Sequence, residues 1–212
     1  MKTRITFVAG LAAGIAALGI AAFALSGSET ETATAAAGSD PAATQALSPR
    51  FAAGQTAADV LPGFLLEGSQ QLPGVLPATT RILGSKDGTN YWLAKNDNGE
   101  ACLISLMPGA DELASMTCLP ASKVWKQGLA LQVQIPGKAT RSYFLPAGYQ
   151  AEIAGFQAVN DQLMVGDAVG EGKPISATPK SSSTSRSAAT TYGSGTVELP
   201  ALPAPDLSRQ GQ

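Results

Sequence analysis

The sequence predicts a mainly β protein: a small antiparallel sandwich or partly open barrel with one disulfide, preceded by a single N-terminal transmembrane helix and flanked by disordered segments. Three observations predict it. From Thr79 to Val169, short apolar runs alternate with polar residues at a period of two, separated by the turn pairs Asp87-Gly88, Asn98-Gly99 and Pro136-Gly137. The only two cysteines, Cys102 and Cys118, fall inside that region. Ahead of it, Ile5 to Leu25 carries no charge and has Thr6 as its one polar side chain.

Residues 1–25 read as a membrane anchor or a signal segment. As a helix the 21 residues from Ile5 to Leu25 would measure about 31 Å at ~1.5 Å per residue, close to a hydrocarbon core of ~30 Å. A cleaved signal peptide has a shorter apolar region followed by small residues, and Ala22-Phe23-Ala24 and Ala33-Thr34-Ala35 offer such sites. Both outcomes stay open, and the length favours the anchor. Lys2 and Arg4 before the run, with Glu29 and Glu31 after it, place the N-terminus in the cytoplasm and the bulk outside. No cysteine follows the run directly, so a lipid-anchored lipoprotein is excluded. Gly10 and Gly14 give the G-x-x-x-G spacing at which two such helices pack closely, a spacing that an Ala/Gly-rich segment also produces by chance.

Residues 26–50, rich in Ser, Thr and Ala with Leu47 as the one large apolar residue, read as a disordered linker. Residues 51–78 read as an irregular lead-in, because Pro62, Pro73 and Pro77 forbid a long regular element. It is expected to cover one edge or end of the β domain, with a short helix over Gln55 to Leu61. Residues 79–169 form the β domain. Strands are expected at Thr79 to Leu83, Tyr91 to Lys95, Ala101 to Leu106, Leu129 to Ile135, Arg141 to Leu145, Ala151 to Val159 and Leu163 to Val165, with a return towards the sheet at Met116 to Cys118. A helical turn over Ser122 to Gln127 would be capped by Ser122 and stopped by Gly128. Residues 170–212 are rich in Ser, Thr, Pro and Gly and read as a disordered tail. Its closing run, VELPALPAPDLSRQGQ, has a proline spacing that suits an extended polyproline conformation; a plain solvated tail is expected there, with a binding peptide as the alternative.

The chemistry offered by this inventory is narrow. The chain has no histidine, which excludes a His base and His-containing zinc sites. Between Thr79 and Val169, seven Lys/Arg stand against eight Asp/Glu with no run of either sign. Nucleic-acid binding needs clustered cations, so it is not expected. In an oxidising compartment Cys102 and Cys118 pair as a disulfide; a redox or metal pair would call for close C-x-x-C spacing or further ligands. Asn96 to Glu100 resembles a calcium loop, but Ala94 and Ser105 occupy the positions where an EF-hand places carboxylates, so a hairpin turn is expected. Gly172-Lys173 lacks the spacing of a phosphate loop, and neither G-x-S-x-G nor S-x-x-K occurs. No catalytic residue, cofactor or metal is therefore assigned. Of the aromatics Tyr91, Trp92, Trp125, Tyr143, Phe144 and Tyr149, alternation turns one member of Tyr91/Trp92 and of Tyr143/Phe144 outward. Those four are the candidate surface aromatics.

The N-terminal span, Asp59-Val60-Leu61-Pro62, Thr80-Arg81, Tyr91-Trp92-Leu93-Ala94, Gly99 with Cys102-Leu103, Cys118 and Gly128-Leu129 together resemble a set of uncharacterised exported or membrane-anchored actinobacterial proteins. The resemblance covers about half the chain, and it implies location and disulfide but no reaction. The expected function is thus a non-enzymatic, membrane-tethered extracytoplasmic module that contacts a protein or cell-wall partner, with the membrane engaged through residues 5–25. Two alternatives accompany it. The same domain could be secreted after signal cleavage, or it could be an extracytoplasmic hydrolase using paired carboxylates drawn from Asp87, Asp97, Glu100, Asp111 or Glu112.

Overall fold

A meander begins where the expected hairpins begin. In the computed structural model, which describes residues 40–67, 72–107, 113–135, 138–168, 174–180 and 195–205, strands β1 (Arg81–Lys86), β2 (Thr89–Lys95), β3 (Ala101–Leu106) and β4 (Ala114–Leu119) form one antiparallel sheet in chain order. Lys86 pairs with Thr89 across the two-residue turn Asp87-Gly88, and both turn residues have positive φ (50° and 80°). That geometry matches the right-handed twist of the flanking strands, and glycine accepts it without a steric cost. A second sheet has the order β5-β6-β9-β8, from Leu129–Ile135, Lys138–Phe144, Leu163–Asp167 and Phe156–Ala158. Helix α3 (Ala121–Gln127) links the sheets.

The sheets adjoin at two seams. β4 lies alongside β5. On the other side Asn160 donates its Nδ2 hydrogen to the Leu83 carbonyl at 2.6 Å, and Val159 crowds the Cα of Gly84. The inner faces, with Tyr91, Leu93 and Leu103 from the first sheet and Leu129, Leu131, Phe144 and Val165 from the second, share one core with Val124 and Trp125 of α3. The expected mainly β fold with antiparallel sheets and one disulfide is therefore present.

Several boundaries differ from the sequence reading, each for a physical reason. The linker expected over 26–50 is ordered from Asp40 onward. Asp40 caps helix α1 (Pro41–Ala46) by accepting the Ala42 and Ala43 amides at 2.9 and 3.3 Å, and Pro41 sits where a missing N–H costs nothing. Leu47 and Phe51 then enter the core. Leu47 and Ser48 are fixed by Gln162, whose Nε2 donates to the Leu47 and Leu145 carbonyls while its Oε1 accepts from the Ser48 hydroxyl. The expected helix over 55–61 is a single 3-10 turn at Ala57–Asp59, and α2 (Phe64–Glu67) follows it. The strand expected at 151–159 is confined to Phe156–Ala158. Ser122 does not cap α3, which starts directly after Pro120 without a side-chain cap.

The tail expected to be disordered over 170–212 also contains structure. β10 (Ile175–Pro179) pairs with β7 (Tyr149–Gln150) on one side and β11 (Val197–Leu199) on the other, and Ala177, Val197 and Leu199 are fully buried. Gly128 shows how closely β11 is fitted: it has φ +61°, and a Cβ there would meet the Phe144 carbonyl oxygen at 2.6 Å and Leu199 Cδ2 at 2.7 Å. The span over 5–25, the rest of the linker up to residue 39, the Pro136-Gly137 turn and Gly172-Lys173 lie outside the described residues. Among the described residues no helix is long and apolar enough to cross a membrane.

Candidate functional site

The disulfide forms as expected. Cys102 and Cys118 face each other across the β3–β4 ladder with S–S 2.11 Å and Cα atoms 4.1 Å apart, the spacing of a non-hydrogen-bonded antiparallel pair. The bond lies on the outer face of the first sheet. Trp92, Ala94, Ile104 and Leu106 share that face, and Leu61, Leu65, Leu72 and Val75 of the lead-in cover it. The lead-in thus covers a face of the sheet rather than one edge or end.

This covering overturns the assignment of surface aromatics. Tyr91, Trp92, Tyr143 and Phe144 are 1, 3, 1 and 0% exposed, so none presents a ring to solvent. Alternation does send Tyr91 and Phe144 inward and Trp92 and Tyr143 outward, but both outer faces carry a further layer of chain. Burial pushes the Tyr91 hydroxyl up to about 12. The Trp92 indole N–H is buried with no acceptor among the described residues. Trp125 and Tyr149 are core residues with ring centroids 6.2 Å apart, and Trp125 donates to the Ala43 carbonyl at 3.2 Å.

The charged groups of the lead-in act as braces. Asp59 is buried, which alone would raise its pKa. The Thr56 amide and hydroxyl, the Ile82 amide (2.7 Å) and the charge of Arg81 outweigh that effect and hold the carboxyl below its ordinary value. The buried Arg81 guanidinium donates to the carbonyls of Arg50, Ala53, Ala78 and Thr80. Thr80 adds a hydroxyl bond to the Asp59 carbonyl at 2.7 Å. Residues 50–59 are thereby latched to the start of β1, and both charges are occupied in holding backbone. Lys95, shifted down by burial and by Arg81, rests its Nζ 4.9 Å from the Phe51 ring centroid.

Of the described carboxylates proposed for hydrolysis, Asp87 stands apart from Asp97 and Glu100. Asp87 occupies the β1–β2 turn and pairs with Lys86 at 3.0 Å. Asp97 and Glu100 sit in the β2–β3 turn, where Glu100 accepts from Asn96 Nδ2 at 2.8 Å. Strand β2, about 20 Å long at ~3.3 Å per residue, separates the two turns. Asp111 and Glu112 lie outside the described residues. Among the described residues no three His, Cys, Asp or Glu side chains group as metal ligands. A shallow polar depression lined by Gln150, Ala151, Glu152, Ser176 and Thr178 opens beside β7 and β10.

A more specific arrangement covers the outer face of the second sheet. Arg141 and Tyr143, two apart on β6, face outward, and both are buried beneath the segment that leaves β11 at Pro200. The Tyr143 hydroxyl donates to the Pro200 carbonyl at 3.4 Å. The Arg141 Nη2 donates to the carbonyls of Leu202 and Pro203 at 3.2 and 2.6 Å, and its Nε is oriented by Gln132 Oε1 at 2.7 Å. The Phe156 ring stands 5.4 Å from that of Tyr143 and lies over Gly166, where a Cβ would collide with it. Sequence reasoning noted the proline run and Tyr143 separately. It missed Arg141 and Gln132, although their outward register with Tyr143 on the paired strands β5 and β6 was readable.

Comparison with protein families, curated proteins and solved structures finds no match.

Proposed function

We propose that this protein is a non-enzymatic binding module of the cell envelope, tethered outside a membrane by a single helix over residues 5–25 with its N-terminus in the cytoplasm. The observation that carries the reading is the disulfide. Cys102 and Cys118 are bonded within a β domain, and such bonds persist in oxidising compartments. The positively charged start and the uncharged run that follows support the orientation, as does the resemblance to exported or membrane-anchored proteins. A binding role is favoured because the charged lead-in residues hold backbone, whereas Arg141 and Tyr143 are arranged to hold an extended chain.

The test is the intact mass of the native protein from fractionated cells, with thiol labelling before and after reduction. A full-length mass in the membrane fraction with thiols labelled only after reduction is the expected result. A shortened mass in the medium would replace the anchor with a secreted form, and thiols that label without reduction would refute the extracytoplasmic reading. Cross-linking on intact cells should then recover the same protein or wall fragment repeatedly. Recovery no higher than background would refute a binding role.

A further inference from the structure

We infer that the outer face of the β5-β6-β9-β8 sheet is a receptor site for extended proline-rich peptides, held in cis by residues 200–205. This names a ligand class for the binding module proposed above and rests on that reading only for the compartment in which the site works.

The sequence of the strap fits the role. Pro200, Pro203 and Pro205 lack an N–H, so the chain cannot extend β11 as a paired strand. A polyproline helix repeats every three residues and makes no internal hydrogen bonds, which leaves its carbonyls facing outward. The carbonyls of Pro200 and Pro203 are one such repeat apart. They are the two read by Tyr143 and Arg141, and Arg141 also takes the Leu202 carbonyl. The tyrosine and phenylalanine rings, with a donor aimed at main-chain carbonyls, form the kind of surface on which proline-rich segments dock.

The receptor residues are built for an occupant. A guanidinium folded under cover to 4% exposure is costly unless its donors are satisfied. Gln132 pre-orients it, and the strap carbonyls accept from it. The strap itself is lightly held: Ala201, Pro203 and Ala204 are exposed, and Leu202 is only partly buried. Val197 and Leu199, which complete the core, precede it. Residues 200–205 can therefore lift away while Val197 and Leu199 stay in place, at the cost of the Leu202 packing and the cover over Tyr143, and water can then solvate Arg141.

The experiment titrates a fluorescent peptide reproducing residues 200–206 against the purified chain in detergent, and against a variant that stops after Leu199. A tethered strap competes at roughly millimolar effective concentration. The shortened variant should therefore bind saturably and about tenfold or more tightly than the full chain, and Arg141→Leu in that background should abolish binding. A peptide with its prolines replaced by alanine should bind at least tenfold more weakly. If the shortened variant fails to fold, the full chain carrying Leu202→Ser and Pro203→Gly releases the strap instead. The inference is overturned if folded, disulfide-bonded, strap-released protein does not bind the peptide up to millimolar concentration, or binds equally without Arg141. A full chain that dimerises with concentration, and stops doing so when shortened, identifies the ligand as another copy's strap. A full chain that stays monomeric while the shortened variant binds peptide points to a foreign proline-rich segment. Freely labelled thiols in cells would sink the compartment reading and leave this titration unchanged, and a failed titration would leave the location untouched.

Discussion

Replacing Cys102 and Cys118 by alanine together should lower the stability of the domain by about 3–4 kcal/mol. The sequence separation of 16 sets most of that figure. In the chain-entropy description, closing such a loop removes about 10 cal/mol/K from the unfolded ensemble, or ~3 kcal/mol at 25 °C. The native side contributes less. The two residues are already ladder neighbours, held by six register pairs between β3 and β4, so the strands keep their places when the sulfurs go. What is lost there is the packing of one buried and one half-buried sulfur, about 1 kcal/mol. The total is a large share of the ~5–15 kcal/mol that domains have, and for a domain of this size it corresponds to a fall of roughly 10 °C in Tm. Urea unfolding followed by the fluorescence of Trp92 and Trp125 measures it. Because the bond acts mainly on the unfolded chain, the slope of free energy against urea should rise as the unprotected chain expands. A loss below about 1 kcal/mol, or the full loss with an unchanged slope, would refute the loop-closure argument.

Three further perturbations probe the packing around that frame. Asp59→Asn leaves at least one of the Thr56 and Ile82 donors unpaired, so stability should fall by about 1–3 kcal/mol. Because the Asp59 pKa is lowered from 3.8 on folding, its contribution is present above that value and is lost as pH falls through the native one. The parent should therefore lose more stability than the variant between about pH 5 and pH 2, read from urea midpoints. At Tyr91 the native pKa is raised from 10.0 to about 12. The stability it carries is thus intact below pH 10 and lost on rising to pH 12, up to about 3 kcal/mol; Tyr91→Phe should lack this alkaline fall, and an identical fall in both proteins would contradict it. Gly128→Ala places a methyl against the Phe144 carbonyl at a positive φ and should cost about 2 kcal/mol or more. Hydrogen exchange should quicken at Val197 and Leu199, and unchanged exchange would show that β11 does not depend on that close approach.

The hairpins were readable because their signals are local. Asp87-Gly88 fixes a two-residue turn, and Leu129, Leu131 and Val133 point to one face by simple alternation. The disulfide needed only compartment and count. Burial of both outer sheet faces was not readable, because it depends on residues far away in the chain. Trp92 is covered by Leu61 and Leu65, and Tyr143 lies beneath Pro200. Alternation predicts which way a side chain points but not whether another layer lies there. The ordered ends were missed for a different reason. β10 reads Ile-Ser-Ala-Thr-Pro, a composition shared with unfolded linkers, and its one fully buried residue is Ala177, with Ile175 packed against the core. Two signals were present and undervalued. Asp40-Pro41 is a helix start, and Val197-Glu198-Leu199 alternates as an edge strand does. Of the candidate site, the proline spacing was visible and the side chains that receive it were not, since strands β5, β6 and β11 had first to be brought together.

The position of β11 constrains how the molecule is made. Val197 and Leu199 are fully enclosed, beside residues drawn from α1 and from both main sheets. A nascent chain cannot complete this interior until Leu199 has emerged from the ribosome, and several dozen residues of β-rich chain must wait with their apolar faces uncovered. Loop closure over such separations makes assembly slow. The interior of this domain therefore closes only once β11 has been made, and Val197 and Leu199 are the residues that close it.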